Sequence, residues 1–268
     1  MKERLIEIAM ASGAMDTFIA CPSDPGTYAA VIIYMDVWGL REELFDIARR
    51  VAAVGYYCAV PNFYYRQGKI RHEFRNDRNR MITLDRLDEQ TRKRVLAPLR
   101  QLTDAMVIED TATLLAFIDA DPAARNGAPL GCIGYCMGGR HAFRVTGHYP
   151  TRFLASASLH GTDLVAAVDS PHLSVLKARG EVYCGFGERD RHTPTATVDT
   201  LARTLPTNGV RYRYEVHKGA EHGYALPDRD VYDKQSANRD WEIIFPMLHR
   251  RLRPCSMQEA SPPPIAQK

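Results

Sequence analysis

Short apolar runs alternate along this chain with longer segments in which apolar positions recur every three or four residues. Residues 30–34 are uninterruptedly apolar, 41–54 carry helical periodicity, and 56–60 are apolar again. The sequence continues with a helical pattern over 104–119, an apolar run at 129–133 and a helix-compatible stretch from Arg140. Strand-like segments at 152–159, 181–187 and 210–216 then alternate with helical ones at 195–205 and 237–252. A run apolar at every position must be buried on both faces, so the alternation predicts an α/β fold with a mainly parallel sheet and helices on both faces. The length suits one domain over 1–252 with a single core. The tail from Arg253, which includes Pro262, Pro263 and Pro264, is too polar and Pro-rich to pack and is expected to be disordered.

One segment departs from the alternation. Between 66 and 101 stand Arg66, Lys69, Arg71, Arg75, Arg78, Arg80, Arg86, Arg92, Lys93, Arg94 and Arg100, interleaved with Glu73, Asp77, Asp85, Asp88 and Glu89. Mixed charge of this kind reads either as a solvated helical surface or as a helical, basic insertion that caps a pocket.

Chemistry enters at Gly134-Tyr135-Cys136-Met137-Gly138-Gly139, just after an apolar run and just before a helix. This is the G-x-nucleophile-x-G pattern of a nucleophile elbow, with cysteine as nucleophile. The glycines leave room for a sharp strand-to-helix turn, and the helix N-terminus favours negative charge on the sulfur and on an oxyanion. In elbow enzymes the acid and the histidine follow the nucleophile in that order. Asp190 follows the strand at 181–187, and His222 lies in the Gly-flanked loop after 210–216. Both fall just past strand ends, at the edge where parallel sheets bind ligands. The predicted triad is Cys136, Asp190 and His222, with Glu188 as a rival acid.

Several motifs in one order resemble the dienelactone hydrolase family of α/β-hydrolases, over about Leu5 to Leu252. They are the strand–turn–strand at 6–22, the strand at 30–34 leading into Met35-Asp36-Val37-Trp38-Gly39, the stretch 53–64, the elbow, and His222-Gly223-Tyr224 through Tyr232 to Trp241. The resemblance implies hydrolysis of a lactone or activated ester without metal or organic cofactor, through a thioester on Cys136. It implies an oxyanion hole from the N–H groups of Val37 and Met137, and places the family's first-loop acid at Asp36. Arg66 matches an arginine used on a substrate carboxylate, which makes an anionic small-molecule substrate the expected partner. The second such arginine is expected where this chain has Leu226. Trp38, Tyr64 and His160 are further candidates for substrate contact; core packing is the alternative for the two aromatic residues, and local hydrogen bonding for the histidine.

The remaining composition narrows the reading. A net charge of +3 gives no reason to expect nucleic acid, and no segment is apolar for long enough to span a membrane. Six cysteines without C-x-x-C spacing suggest reduced thiols in a cytoplasmic protein. Nine histidines form no H-x-x-x-H or H-E-x-x-H pattern, so no metal site is expected. Two other readings stand beside the hydrolase: a non-catalytic relative using Cys136 as a redox-sensing thiol, and a binding scaffold. The oligomeric state and the physiological substrate are left open.

Overall fold

The structure is a computed structural model and describes residues 1–252; the tail expected to be disordered, 253–268, lies outside the described residues. Two long strands, β1 (Lys2–Met10) and β2 (Gly13–Cys21), open the chain as an antiparallel pair. Six more follow: β3 (Ala30–Tyr34), β4 (Tyr57–Pro61), β5 (Leu130–Tyr135), β6 (Phe153–Leu159), β7 (Glu181–Gly187) and β8 (Arg211–His217). They form one eight-stranded sheet in the order β1-β2-β4-β3-β5-β6-β7-β8. Strand β2 meets β4 antiparallel, and every pairing from β4 through β8 is parallel. Strands β3, β4 and β5 are buried at every residue, as continuous apolar runs require. At the sheet edges β1 and β8 expose most of their residues.

The helices are α1 (Glu42–Ala53), α2 (Glu89–Gln101), α3 (Asp104–Ala120), α4 (Met137–His148), the single turn α5 (Pro171–Ser174), α6 (Thr195–Thr207) and α7 (Lys234–Leu252). Two glycines of β5 show that both sheet faces are covered. Gly131 and Gly134 are three residues apart and so point to opposite faces. A side chain at Gly131 would meet Leu248 of α7, and one at Gly134 would strike the backbone of Gly138 in α4. On the first face Arg50 of α1 lies 4.6 Å over the Trp241 ring of α7. On the second, Asp104 at the start of α3 accepts from Arg140 at 2.7 Å and from Arg144 at 2.6 Å on α4. Among the described residues no helix is long and apolar enough to cross a membrane.

The charged segment 66–101 is helical only in its last third. Asp88 caps α2 by accepting from the Thr91 N–H at 2.9 Å. Before it the chain is irregular apart from 3₁₀ turns at Tyr65–Gln67 and Leu84–Arg86. The physical reason is the lack of an apolar stripe over 66–88, which leaves a helix there with nothing to bury. The segment is held by other means. The Met81 N–H donates to the Asp228 carbonyl at 2.7 Å, and the Asp230 N–H returns a bond to Met81 at 3.0 Å. The Thr83 N–H and Arg86 both donate to the Asp230 carboxylate. The insertion is thus stitched to the loop that follows β8.

A tight constraint lies where α4 leaves β5. Gly138 sits against the Tyr34 carbonyl at the end of β3, with no space for a Cβ. Gly138→Ala is expected to lower stability by about 3 kcal/mol, the upper range for overpacking against immobile atoms. Gly127, at φ 63° with open space around it, is the control; Gly127→Ala meets only backbone strain and should cost about 1 kcal/mol. Denaturant midpoints of the two variants check this, and equal losses would refute the packing argument.

Candidate active site

Cys136 occupies the junction between β5 and α4 with φ 56° and ψ −119°, in the left-handed half of backbone space that side chains rarely enter. Its neighbours hold it there. The Cys136 N–H donates to the Leu159 carbonyl at 3.1 Å, while its own carbonyl accepts from Gly139 at 2.9 Å and Thr162 at 3.2 Å. The residue is 6% exposed, with its backbone bound on both sides and its sulfur at the N-terminal end of α4.

The loop after β8 brings His222 to this point. Its Nδ1 lies 2.8 Å from Asp190 Oδ2, and the other Asp190 oxygen accepts from the His192 N–H at 2.8 Å. With a carboxylate as acceptor, Nδ1 must carry the proton, and the Cys136 sulfur is the other group that acts on this ring. Burial opposes charge on this imidazole, but the Cys136 sulfur and the Asp190 carboxylate outweigh it and push its pKa up to about 10. Glu188, the rival acid, instead accepts from the Gly219 N–H at 2.8 Å and helps shape the loop.

A second carboxylate fixes the same loop from below. Asp240 of α7 is fully buried and accepts from Tyr183 at 2.6 Å, His217 at 2.7 Å and Tyr224 at 2.7 Å. Two of these partners flank His222 in sequence. A buried carboxylate is tolerable only when its lone pairs are met by donors, and three converge here.

Other predicted residues collect near the sulfur, with some changes of role. Val37 and Met137 are buried, and the Tyr64 hydroxyl lies 3.3 Å from the Met137 sulfur and 3.5 Å from the Val37 carbonyl. Burial, then the nearby Asp36 and Cys136, push the Tyr64 hydroxyl up, so it stays a neutral donor. Asp36 is bonded within its own loop. Its oxygens accept from Arg41 at 2.6 and 3.0 Å and from the Trp38 N–H at 3.1 Å. Arg41 also reaches Asp228 at 2.6 Å, tying the first loop to the histidine loop.

Arg66 is engaged within its own chain. Its two terminal nitrogens donate to Asp110 at 2.6 and 2.8 Å, and its guanidinium stacks on Tyr65 at 4.5 Å. An arginine that forks onto a buried carboxylate of its own chain already has a partner for its charge. Leu226 is wholly buried, but three residues on Arg229 turns inward. Its guanidinium lies 4.6 Å over the Trp38 ring and 3.8 Å from Asp36, and its Nε has no partner. Burial lowers its pKa, with Asp36 and Cys136 acting in the other direction. Neither Arg41 nor Arg229 stands out in the sequence, because no spacing rule links either to the elbow. The one available signal for Arg229 is an arginine close behind the histidine.

His160 is also drawn into the site. Its ring packs edge-on to His222 with centroids 5.0 Å apart, and neither ring nitrogen has a partner. A cleft of about 680 Å³ opens beside His222, between 83–86 of the insertion and 188–191.

With this geometry in view, the relatives are informative. The pattern of the dienelactone hydrolase family matches residues 15–252. A Methylorubrum extorquens protein provisionally named carboxymethylenebutenolidase is 24% identical over 242 residues, covering 89% of this chain and 78% of its own. A Klebsiella pneumoniae structure provisionally named dienelactone hydrolase superposes with a TM-score of 0.76 at 22% identity, covering 93% of this chain and all of the other. A dienelactone hydrolase-like promiscuous phosphotriesterase from metagenomic libraries gives a TM-score of 0.73 at 14% identity, covering 93% of this chain and 98% of its own. The solved structures share the α/β-hydrolase fold, and the family match spans the elbow, the acid and the histidine loop. The chain belongs to the dienelactone hydrolase family and is a hydrolase of lactone or ester bonds.

Proposed function

We propose that the protein cleaves a small lactone or activated ester by covalent catalysis, with Cys136 as nucleophile, His222 as base and Asp190 as the group that orients the histidine. The observation that carries this reading is the His222 ring, bonded through Nδ1 to Asp190 at 2.8 Å and close enough to the Cys136 sulfur for that sulfur to raise its pKa. The imidazole so held keeps its proton at neutral pH, next to a sulfur at a helix N-terminus. The sulfur attacks the carbonyl carbon. The oxyanion that forms faces the Met137 N–H at the start of α4 and the Val37 N–H of the first loop. The imidazolium then gives its proton to the departing alcohol, and water hydrolyses the thioester. Because a thiolate is itself a good leaving group, enol lactones and activated esters suit this nucleophile better than amides.

For a substrate that carries an anionic group, Arg229 is the favoured contact. It is buried beside Asp36 and the sulfur, lies over the Trp38 ring, and has an unspent Nε. The cleft beside His222 would admit the rest of the molecule.

Three outcomes test this reading. Cys136→Ala should abolish turnover of an activated ester, and one equivalent of iodoacetamide should mark Cys136 first by peptide mapping. Burial pushes the thiol of Cys132 up to about 11 and that of Cys184 up to about 12, which leaves them unreactive. Preferential labelling of any other cysteine, or full activity in the alanine variant, would overturn the assignment.

The pH profile carries a sign. The imidazolium must supply the leaving-group proton, so kcat/KM for an alkyl ester should hold through neutral pH and fall as His222 deprotonates near pH 10. Asp190→Asn removes a group that raises this pKa, so the descending limb should move to lower pH as turnover drops by on the order of a thousandfold or more. An unmoved limb would separate Asp190 from His222.

Arg66→Ala should leave the ratio of kcat/KM for a matched acid and methyl-ester pair unchanged, and lower stability by about 1–3 kcal/mol, because Asp110 would keep only the Tyr65 hydroxyl as a side-chain donor. Loss confined to the acid substrate would restore Arg66 as a substrate contact.

A further inference from the structure

His160 does more in this fold than fill space. It follows β6 at φ 40°, and its N–H donates to the Gly185 carbonyl at 2.8 Å on the neighbouring strand. The residues on either side are bound to the nucleophile itself: Leu159 accepts from the Cys136 N–H, and Thr162 donates to the Cys136 carbonyl. Gly161 is held in turn by the Thr193 hydroxyl at 2.7 Å, from the loop that bears Asp190. The His160 backbone is therefore fixed to both the cysteine and the acid.

Its ring lies between His222 at 5.0 Å and the rings of Tyr224 at 5.6 Å and Tyr135 at 5.9 Å. The side chain is 1% exposed, and both nitrogens lack a partner. Burial, then the charges of His222 and Arg229, drive its pKa well below the ordinary histidine value, so the ring is neutral. A neutral imidazole has one N–H donor and one bare acceptor nitrogen. Buried polar groups of this kind are normally hydrogen-bonded, so two idle nitrogens against the base call for a small polar guest.

We propose that His160 is a further catalytic residue, one that holds the hydrolytic water against His222 in the second half of the reaction. The inference rests on the thioester route given above. Once the leaving group has taken the His222 proton, Nε2 is bare. Water donates one hydrogen to the acceptor nitrogen of His160 and the other to His222 Nε2. Its oxygen then forms a bond to the thioester carbon as the proton passes to His222. The tetrahedral intermediate collapses, the C–S bond breaks with its electron pair returning to sulfur, and the acid leaves. The proton remains on His222, which restores the starting pair. The first half-reaction needs no water, so His160 has no part in it.

The two halves can be measured separately with p-nitrophenyl acetate. Enzyme in excess reports the first turnover, and substrate in excess reports overall turnover. His160→Phe keeps a ring against His222 and removes both nitrogens. The expected result is an unchanged first turnover, steady-state turnover lower by on the order of tenfold to a hundredfold, and acetyl-Cys136 visible by intact mass. Hydroxylamine, a stronger nucleophile than water, should restore turnover in the variant. His160→Asn, which tolerates the left-handed backbone and is too short to reach the water, should behave in the same way and covers the case in which the phenylalanine variant does not fold. If both halves slow together, or steady-state turnover is unaffected, the proposal is wrong. Failure of the wild type to acetylate at Cys136 would instead overturn the covalent mechanism itself.

Discussion

The approach of Gly138 to the Tyr34 carbonyl is the contact on which the rest of the structure depends. It lets α4 begin immediately beyond the central strands, and that leaves Cys136 no conformation except the left-handed one it adopts. The backbone thus sets where the sulfur begins. Everything else arrives around that fixed point. Strand β3 delivers the first loop with Asp36 and Val37, β6 delivers His160, and β7 and β8 deliver Asp190 and His222. Each residue follows the C-terminal end of a parallel strand, so the register of one sheet sets the geometry of the whole site.

Electrostatics completes what the sheet begins. Two buried carboxylates serve opposite ends of the histidine loop. Asp190 binds the imidazole directly, while Asp240 gathers Tyr183, His217 and Tyr224 beneath it. The loop is therefore ordered by charge-assisted bonds in a low-dielectric interior, where they resist screening by salt. On the other side of the sulfur, Asp36, Arg41, Asp228 and Arg229 place two acids against two guanidiniums, so that no buried charge stands alone.

What could be read from the sequence follows from how local each signal is. The apolar runs of β3, β4 and β5 announce buried parallel strands because each carries its own pattern. The placement of Cys136 at a strand–helix turn is legible because such a turn requires glycines at fixed offsets, and that of Asp190 and His222 past strand ends because they trail recognisable strands. The partner of Arg66 was not legible. Its position in the chain matches a substrate-binding arginine, but the fold pairs it with Asp110, forty-four residues away on α3, and no local pattern reports that pairing. Arg229 was hidden for the same reason: its meaning comes from Trp38 and Asp36, which only the fold brings near. The helical reading of 66–88 failed because mixed charge without an apolar stripe specifies no secondary structure, and the backbone bonds to 228–230 that hold it are wholly non-local.

Those bonds also bear on how such an enzyme can change over generations. Insertions near a pocket are usually where a scaffold diversifies, since a loop can be exchanged without touching the catalytic groups. Here Met81 exchanges backbone hydrogen bonds with the segment at 228–230, a few residues beyond His222, and Arg86 bridges Glu221 and Asp230 on either side of it. The insertion beside the cleft and the loop that carries His222 are one bonded unit. A lineage carrying this arrangement cannot replace its insertion freely, and new substrates would be reached by changes at side chains within the insertion more readily than by swapping it.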